Sequence, residues 1–207
     1  MPRIVCISDS HSVHKDLIVP DGDILLHGGD ATIVGEIKEI TAFNEWLVTL
    51  PHKHKIIIAG NHDLLFQSNP TLARSLITNA VYLEDSSCEV MGLRIYGSPW
   101  QPWFYDWAFN LPRGEPLAKK WSMIPDDTDI LITHGPPHSI LDETPRGDLA
   151  GCEELLKAVK KIKPRLHLFG HIHHAYGRLR KWETEFVNAC VCDEAYDPTN
   201  APIVIDL

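Results

Sequence analysis

The sequence has no apolar run long enough to cross a membrane. A membrane-spanning helix needs roughly 20 consecutive apolar residues, and no stretch of this chain approaches that length. The first segment, residues 1–7, becomes polar too soon for a signal peptide and predicts the first strand of the fold instead. We therefore expect neither membrane insertion nor a membrane partner.

Cysteine is scarce and has no framework spacing. The five cysteines are an odd number, which predicts a reducing, cytoplasmic location rather than a disulfide-linked fold. Cys190 and Cys192 share one side of a predicted strand, where two half-buried thiols are a simpler interpretation than a metal pair.

Positive charge is not in excess, because the formal net charge is −9. Proteins that bind long nucleic acids normally carry a basic patch, so we expect no such partner. An acidic chain can still bind a phosphate ester if bound cations supply positive charge locally. The charge balance therefore argues against a long nucleic acid and leaves a small phosphate-containing substrate open.

Internal repeats, linkers and low-complexity segments are also absent. The composition of 44% apolar and 23% charged residues is ordinary for a globular protein. With 207 residues the chain is long enough to bury a substantial core. The sequence therefore predicts one domain covering residues 1–207.

Apolar periodicity predicts an alternation of strands and helices. Helical spacing favours helices at 35–50, 71–77, 115–121 and 149–162. Short apolar runs predict strands at 4–8, 24–27, 56–59, 81–83, 88–91, 93–96, 130–133 and 166–169. The segments 176–182, 185–189 and 203–207 are expected to be antiparallel strands that complete a second sheet. This order is typical of the α/β class.

Histidine, with 12 residues, is the abundant type, and it recurs with aspartate at strand ends. The run 55–59 has no alternation and many β-branched residues, which predicts a buried strand ending at Gly60. The five polar strand ends are Asp9-x-His11, Gly29-Asp30, Gly60-Asn61-His62-Asp63, His134-Gly135 and Gly170-His171-x-His173. Open α/β sheets place ligand sites at the carboxyl ends of strands, so these groups are expected to converge.

The residue types at these strand ends suit metal ions. Carboxylate, imidazole and amide donors bind divalent metals such as Mn, Fe or Zn. Two such ions ~3.5–4 Å apart stabilise the attacking and leaving oxygens of phosphoryl transfer. The pattern therefore predicts a dinuclear site for phosphate-ester chemistry.

The segment 97–114 is dense in aromatic residues and prolines, which predicts an ordered loop or lid. Two interpretations stay open. Its rings either fill a satellite core or stack a nucleobase, with Trp100 and Trp103 as candidate substrate contacts. Arg113 or Arg146 is a candidate phosphate contact.

The strand-end motifs resemble those of the calcineurin-like metallophosphoesterase superfamily. Segments 93–100, 110–114, 133–137 and 198–205 resemble one branch, the metallophosphoesterase-domain-containing proteins related to class III-type cyclic nucleotide phosphodiesterases. The resemblance implies a four-layer sandwich of two mixed β-sheets flanked by helices. It also implies that Asp30 bridges two metals, one held by Asp9, His11 and His173 and the other by Asn61, His134 and His171.

The same resemblance assigns catalytic roles. His62 would protonate the leaving oxygen or bind a phosphate oxygen, and Asp63 would orient His62. His27 is a candidate support for Asp30. The remaining histidines are expected to be solvated or to lie behind the ligands: His14, His52, His54, His138, His167 and His174. The implied cofactors are two divalent ions, with manganese favoured and Fe, Zn, Mg or Co as alternatives.

The expected function is metal-dependent hydrolysis of small phosphodiesters, with cyclic nucleotides favoured, by a hydroxide that bridges the two metals. One alternative is a phosphomonoesterase or phosphoprotein phosphatase with the same dinuclear site. The other is a non-catalytic scaffold on the same fold. A scaffold has no need of His62, whereas a hydrolase does, so the presence of His62 favours an enzyme.

Overall fold

Two β-sheets form the centre of the protein in a computed structural model that describes residues 1–207. In chain order the strands are β1 (Arg3–Ile7), β2 (Ile24–His27), β3 (His54–Ile57), β4 (Val81–Tyr82), β5 (Ser86–Val90), β6 (Leu93–Ser98), β7 (Gln101–Pro102), β8 (Asn110–Leu111), β9 (Ile130–Thr133), β10 (Leu166–Phe169), β11 (Gly177–Lys181), β12 (Thr184–Asn188) and β13 (Ile203–Asp206). The helices are α1 (Ile37–Thr49), α2 (Leu64–Ser68), α3 (Pro70–Leu76), α4 (Glu115–Trp121) and α5 (Glu153–Ile162).

The first sheet has the strand order β13-β1-β2-β3-β4. Strands β1 to β4 are parallel, and β13 pairs antiparallel with β1, with Ile4 opposite Ile205. The assignment of residues 203–207 to the second sheet was therefore wrong. Their apolar alternation predicted a strand correctly, but the pairing partner depends on where the chain returns in space, which local sequence does not encode.

The second sheet has the order β11-β12-β10-β9-β6-β5. Its four inner strands are parallel, and the edge strands β5 and β11 are antiparallel to their neighbours. Strand β12 pairs antiparallel with β11 but parallel with β10, so the expectation of an antiparallel strand at 185–189 holds for one neighbour only. The two large sheets are both mixed, as expected.

Alternate residues of each strand pack into different apolar layers. In β1, Ile4 and Cys6 belong to a cluster shared by both sheets, whereas Val5 and Ile7 pack toward α1, α2 and α3. A third cluster joins the second sheet to α4 and α5. The order of layers is helix, sheet, sheet, helix, which confirms the four-layer sandwich.

Local signals explain where the helices begin. Glu36 and Glu39 form a capping box at the start of α1, and Pro70 occupies the first turn of α3 as predicted. Helix α5 begins at Glu153 rather than at 149, because the Cys152 thiol caps its first turn and Leu149 forms a bridge with Glu143. No helix combines the length and apolar content needed to cross a membrane.

After β6 ends at Ser98, the rest of the aromatic segment 97–114 is an ordered loop, as predicted. Strands β7 and β8 pair in it, and the Asn110 amide donates to the carbonyls of Phe104, Tyr105 and Trp107. The Asn110 side chain thus stabilises the conformation of the residues between β7 and β8. The loop lies over the carboxyl ends of the parallel strands, where the polar strand ends meet.

Candidate metal centre

The polar strand ends meet at the carboxyl edges of both sheets. Asp9 and Asp30 follow the parallel pair β1 and β2, and both have positive φ values, of 54° and 53°. Glycine is required beside them, because a Cβ on Gly170 would overlap the Asp9 carboxylate and one on Gly60 would overlap that of Asp30. The two carboxylates are buried.

One group of donors comprises Asp9, His11 and His173. The Nε2 atom of His173 lies 3.4 Å from Asp9 Oδ1 and 3.3 Å from Nε2 of His11. The opposite ring nitrogens are engaged, since Nδ1 of His11 faces the Thr32 carbonyl at 3.3 Å and Nδ1 of His173 faces the Asp193 carbonyl at 2.8 Å. Because carbonyls only accept hydrogen bonds, each Nδ1 carries the proton.

A second group comprises Asn61, His134 and His171. His134 Nε2 lies 2.9 Å from Asn61 Oδ1, while its Nδ1 donates to the Gly28 carbonyl at 3.0 Å. Donor atoms of Asp30, His134 and His171 all lie within 4.8 Å of one another. Asp30 Oδ2 is 3.3 Å from Nε2 of His134 and 3.9 Å from Nε2 of His11, so it stands between the two groups.

This donor set fits two divalent cations. Hydrogen bonds at Nδ1 orient three imidazoles and direct their Nε2 atoms to the centre, as is usual for metal-binding histidines. Two carboxylates converge on the same space, and buried charges of one sign require a compensating partner. Asp9, His11 and His173 would hold one ion, Asn61, His134 and His171 the other, with Asp30 between them.

The pKa values of the histidines also indicate that this site favours positive charge. Burial opposes protonation of His134 and His173, but the neighbouring carboxylates of Asp30 and Asp9 outweigh it and raise both pKa values to about 9. Burial lowers the pKa of His11 to about 4 and that of His171 to about 3. The buried carboxylates thus favour positive charge on the neighbouring imidazoles of His134 and His173.

His62 lies beside this centre, with a ring nitrogen within 4.8 Å of donor atoms of His11 and Asp30, and it has further contacts of its own. Its Nδ1 donates to the Ile33 carbonyl at 2.6 Å, and its ring stacks on Trp107 with centroids 4.1 Å apart. The His62 backbone N–H donates to Asp30 Oδ1 at 2.8 Å. The Nε2 atom is left for an outside partner, which suits proton transfer.

Asp63 does not contact the His62 imidazole, so the expected orienting role is corrected. Its carboxylate accepts from the backbone N–H groups of Gly60, Ala31 and Thr32 and from the Thr32 hydroxyl. The Ile33 carbonyl orients His62 instead. This contact could not be predicted from the sequence, because any residue type can provide a backbone carbonyl. Asp63 thus fastens the loop after β3 to the loop after β2.

The histidines outside the centre are more buried than expected. His27 accepts from the Gly29 N–H and contacts the Ser10 hydroxyl at 3.1 Å, so it does not support the Asp30 side chain. Of the six that were expected to be solvated or behind the ligands, His14, His52 and His167 are buried away from solvent. They pack as neutral rings, because burial lowers the pKa of each.

A cleft of about 390 Å³ opens over the centre. Trp103 and Phe104 lie in its wall, but Trp100 does not: its indole donates to Asp85 and packs under Lys120, which corrects its assignment as a substrate contact. Arg113 lines the cleft with its guanidinium bonded to Glu153 and to two backbone carbonyls.

Three residues that contact the metal centre were not predicted to do so from the sequence. Tyr196 packs on the His11 ring with centroids 4.5 Å apart, and Trp107 stacks on His62. Cys190, completely buried rather than half-buried, donates its thiol to Asp9 Oδ2 at 3.2 Å. The aromatic density of 97–114 was a signal for Trp107. No motif marked Tyr196, and Cys190 was interpreted only as one of two half-buried thiols on a predicted strand.

Comparison with known proteins agrees with this geometry. The family model described as calcineurin-like phosphoesterase matches residues 2–175. Metallophosphoesterase domain-containing protein 1 of Homo sapiens is 49% identical, over 99% of this chain and 71% of its own length. A UPF0046 protein of Caenorhabditis elegans is 40% identical, over 99% of this chain and 80% of its own.

A solved structure of TT1561 from Thermus thermophilus is similar in fold alone. It superposes with a TM-score of 0.62 at 14% identity, covering 91% of this chain and 89% of the other. Another solved chain superposes with a TM-score of 0.69 at 16% identity, covering 92% and 91%. The two-sheet architecture is therefore shared well beyond recognisable sequence similarity.

Proposed function

Since the chain belongs to the calcineurin-like phosphoesterase family, we propose that it is a metal-dependent phosphodiesterase acting on small phosphodiesters, with cyclic nucleotides as the favoured class. One observation carries the proposal. Two sets of imidazole, amide and carboxylate donors converge on the shared Asp30, and His62 Nε2 is free beside them. Divalent ions bound there supply positive charge to phosphoryl oxygens and a water nucleophile of lowered pKa.

His62 would supply the proton that the leaving oxygen needs. Its Nδ1–H is held by the Ile33 carbonyl, so proton delivery falls to Nε2. The stacked Trp107 ring fixes the plane of the imidazole. A positioned acid of this kind typically contributes roughly 10²–10⁴-fold to a rate.

The charge of the cleft supports a diester over a monoester. Arg113 is the only arginine or lysine in the cleft wall, and its guanidinium is bonded to Glu153. A monoester dianion would benefit from a further free cation, whereas a diester carries a single negative charge. The exposed rings of Trp103 and Phe104 at the rim suit an organic ester group such as a nucleoside.

The choice of metal belongs to the same proposal. Four imidazoles, one amide and the carboxylates favour a borderline divalent ion, and manganese remains our preferred candidate among Mn, Fe, Zn, Mg and Co. The five cysteines are free thiols, which supports a reducing, cytoplasmic setting.

A substrate panel tests the proposal. The metal-loaded protein is assayed on cyclic nucleotides and synthetic diesters and, in parallel, on monoesters with the same leaving groups. We expect kcat/KM to be higher for the diesters. Monoester turnover ~10-fold above diester turnover would instead favour the phosphomonoesterase. Absence of turnover in a protein that has bound metal would favour the scaffold.

A further inference from the structure

Tyr196 lies against three histidines of the metal centre. Its ring packs edge-on to His11, with centroids 4.5 Å apart and planes at 72°. Its centroid is 5.8 Å from that of His173 and 5.9 Å from that of His62. Tyr196 therefore contacts both histidines of one ligand group and the proposed proton donor.

The backbone holds Tyr196 in this position. The Asp193 carboxylate accepts from the N–H groups of Ala195 and Asp197, and the Asp193 carbonyl accepts from the N–H of Tyr196 and from Nδ1 of His173. Tyr196 itself has a φ of 64°, which is uncommon for a bulky residue. The turn that orients His173 is thus also the turn that presents Tyr196.

The Tyr196 hydroxyl has no hydrogen-bond partner within the chain, and the residue forms part of the cleft wall. The hydroxyl of Tyr82 donates to Glu84 and that of Tyr176 donates to the Ala201 carbonyl, whereas the Tyr96 hydroxyl is buried without a partner. Tyr196 is 42% exposed, so its phenol is accessible from the cleft. A phenol on the cleft wall can donate its hydrogen to an acceptor that binds in the cleft.

We propose that Tyr196 is a substrate-binding residue whose phenolic O–H donates to a non-bridging oxygen of the bound phosphate ester. The inference rests on the proposed phosphoesterase function. Arg113 is bonded to Glu153, whereas His62 and Tyr196 are neighbouring side-chain donors that line the cleft beside the centre. A phosphate oxygen is an acceptor, and hydrogen bonds to charged acceptors are the stronger class.

The variant Tyr196→Phe removes the hydroxyl and keeps the ring against His11. We expect inorganic phosphate to bind the metal-loaded variant about 10-fold more weakly, measured by titration calorimetry, because one charge-assisted hydrogen bond is lost. The kcat/KM for a diester should fall by a similar factor while the metal content stays unchanged. Tyr105→Phe is the matched control, since Tyr105 is 73% exposed at the rim and does not line the cleft.

A second variant, Tyr196→Asn, removes the whole ring and adopts positive φ readily. It should lose phosphate affinity at least as much as Tyr196→Phe. Phosphate affinity in Tyr196→Phe equal to that of the native protein, or no phosphate binding by the native metal-loaded protein, would overturn the inference. Because phosphate binding needs no turnover, the inference on Tyr196 is decided separately from the phosphodiesterase assay.

Discussion

The imidazole of His62 is stacked on the indole of Trp107, with ring centroids 4.1 Å apart and 27° between the planes. On its other side, His62 meets His11 edge-on at 4.7 Å. Trp107 is not a metal donor, and it belongs to the aromatic loop 97–114. The pair thus connects the proposed proton donor to the loop that shapes the cleft.

Replacing Trp107 with leucine should lower kcat by about 3–10-fold, because a stacked aromatic pair stabilises its geometry by about 0.5–1.5 kcal/mol. Trp107→Phe should keep most of the activity. Trp182→Leu is the control, since Trp182 lies in the turn between β11 and β12, packs on Phe186 and Lys160, and does not line the cleft. Steady-state kinetics at equal metal content checks the prediction, which fails if Trp107→Leu matches Trp182→Leu.

Asp63→Asn should destabilise the protein by about 2–4 kcal/mol. Oδ1 accepts two hydrogen bonds from Thr32 and Oδ2 accepts from Gly60 and Ala31, so an amide NH₂ in either orientation would face donors. Urea denaturation measures the loss. Asp106→Asn, at an exposed position, should change stability by less than about 0.5 kcal/mol. If the two substitutions changed stability equally, Asp63 would not be fastening the loop after β3 to the loop after β2.

Removal of metal should lower the melting temperature. An ion present at about 100 times its dissociation constant stabilises the folded state by about 2.7 kcal/mol. For a chain of this length that amounts to a shift of roughly 5–10 °C per ion. Chelation followed by re-addition, monitored by differential scanning calorimetry, measures the shift. Asn61→Ala should reduce it, whereas His174→Ala, at an exposed position beside His173, should not.

Buried neutral histidines should make the protein sensitive to mild acid. Burial lowers the pKa of His167 from 6.5 to about 3, so below pH 6.5 the unfolded state binds a proton that the folded state does not. Stability should therefore fall as the pH falls, by about 1.4 kcal/mol for this residue between about pH 7.5 and 5.5. In urea denaturation at these two pH values, His167→Phe should lose about 1.4 kcal/mol less stability than the native protein. If His167→Phe lost as much stability as the native protein between the two pH values, His167 would not be a buried neutral histidine.

The sequence predicted the strand ends because each motif is local. Gly60 to Asp63 and Asp9 to His11 follow apolar runs whose burial can be read from composition, and parallel strands bring their carboxyl ends together. Donor positions for metal were therefore accessible from the sequence. The four-layer arrangement was implied by resemblance, and the structure confirms it.

What the sequence could not supply were contacts made through the backbone or over long separations. The Ile33 carbonyl orients His62, and any residue type could provide that carbonyl. Strand β13 returns from the far end of the chain to pair with β1, and Tyr196 reaches the site by the same return. Such contacts depend on the completed fold rather than on local pattern.

We propose that the metal centre and His62 together hydrolyse a phosphodiester. The decisive experiment compares kcat/KM of the native protein and His62→Ala on one diester, with bound metal measured in both. We predict two divalent ions per chain in each protein and a loss of at least about 100-fold in His62→Ala. Equal activity of the two proteins, or a native protein that binds no metal, would show that the metal centre and His62 do not act together in this hydrolysis.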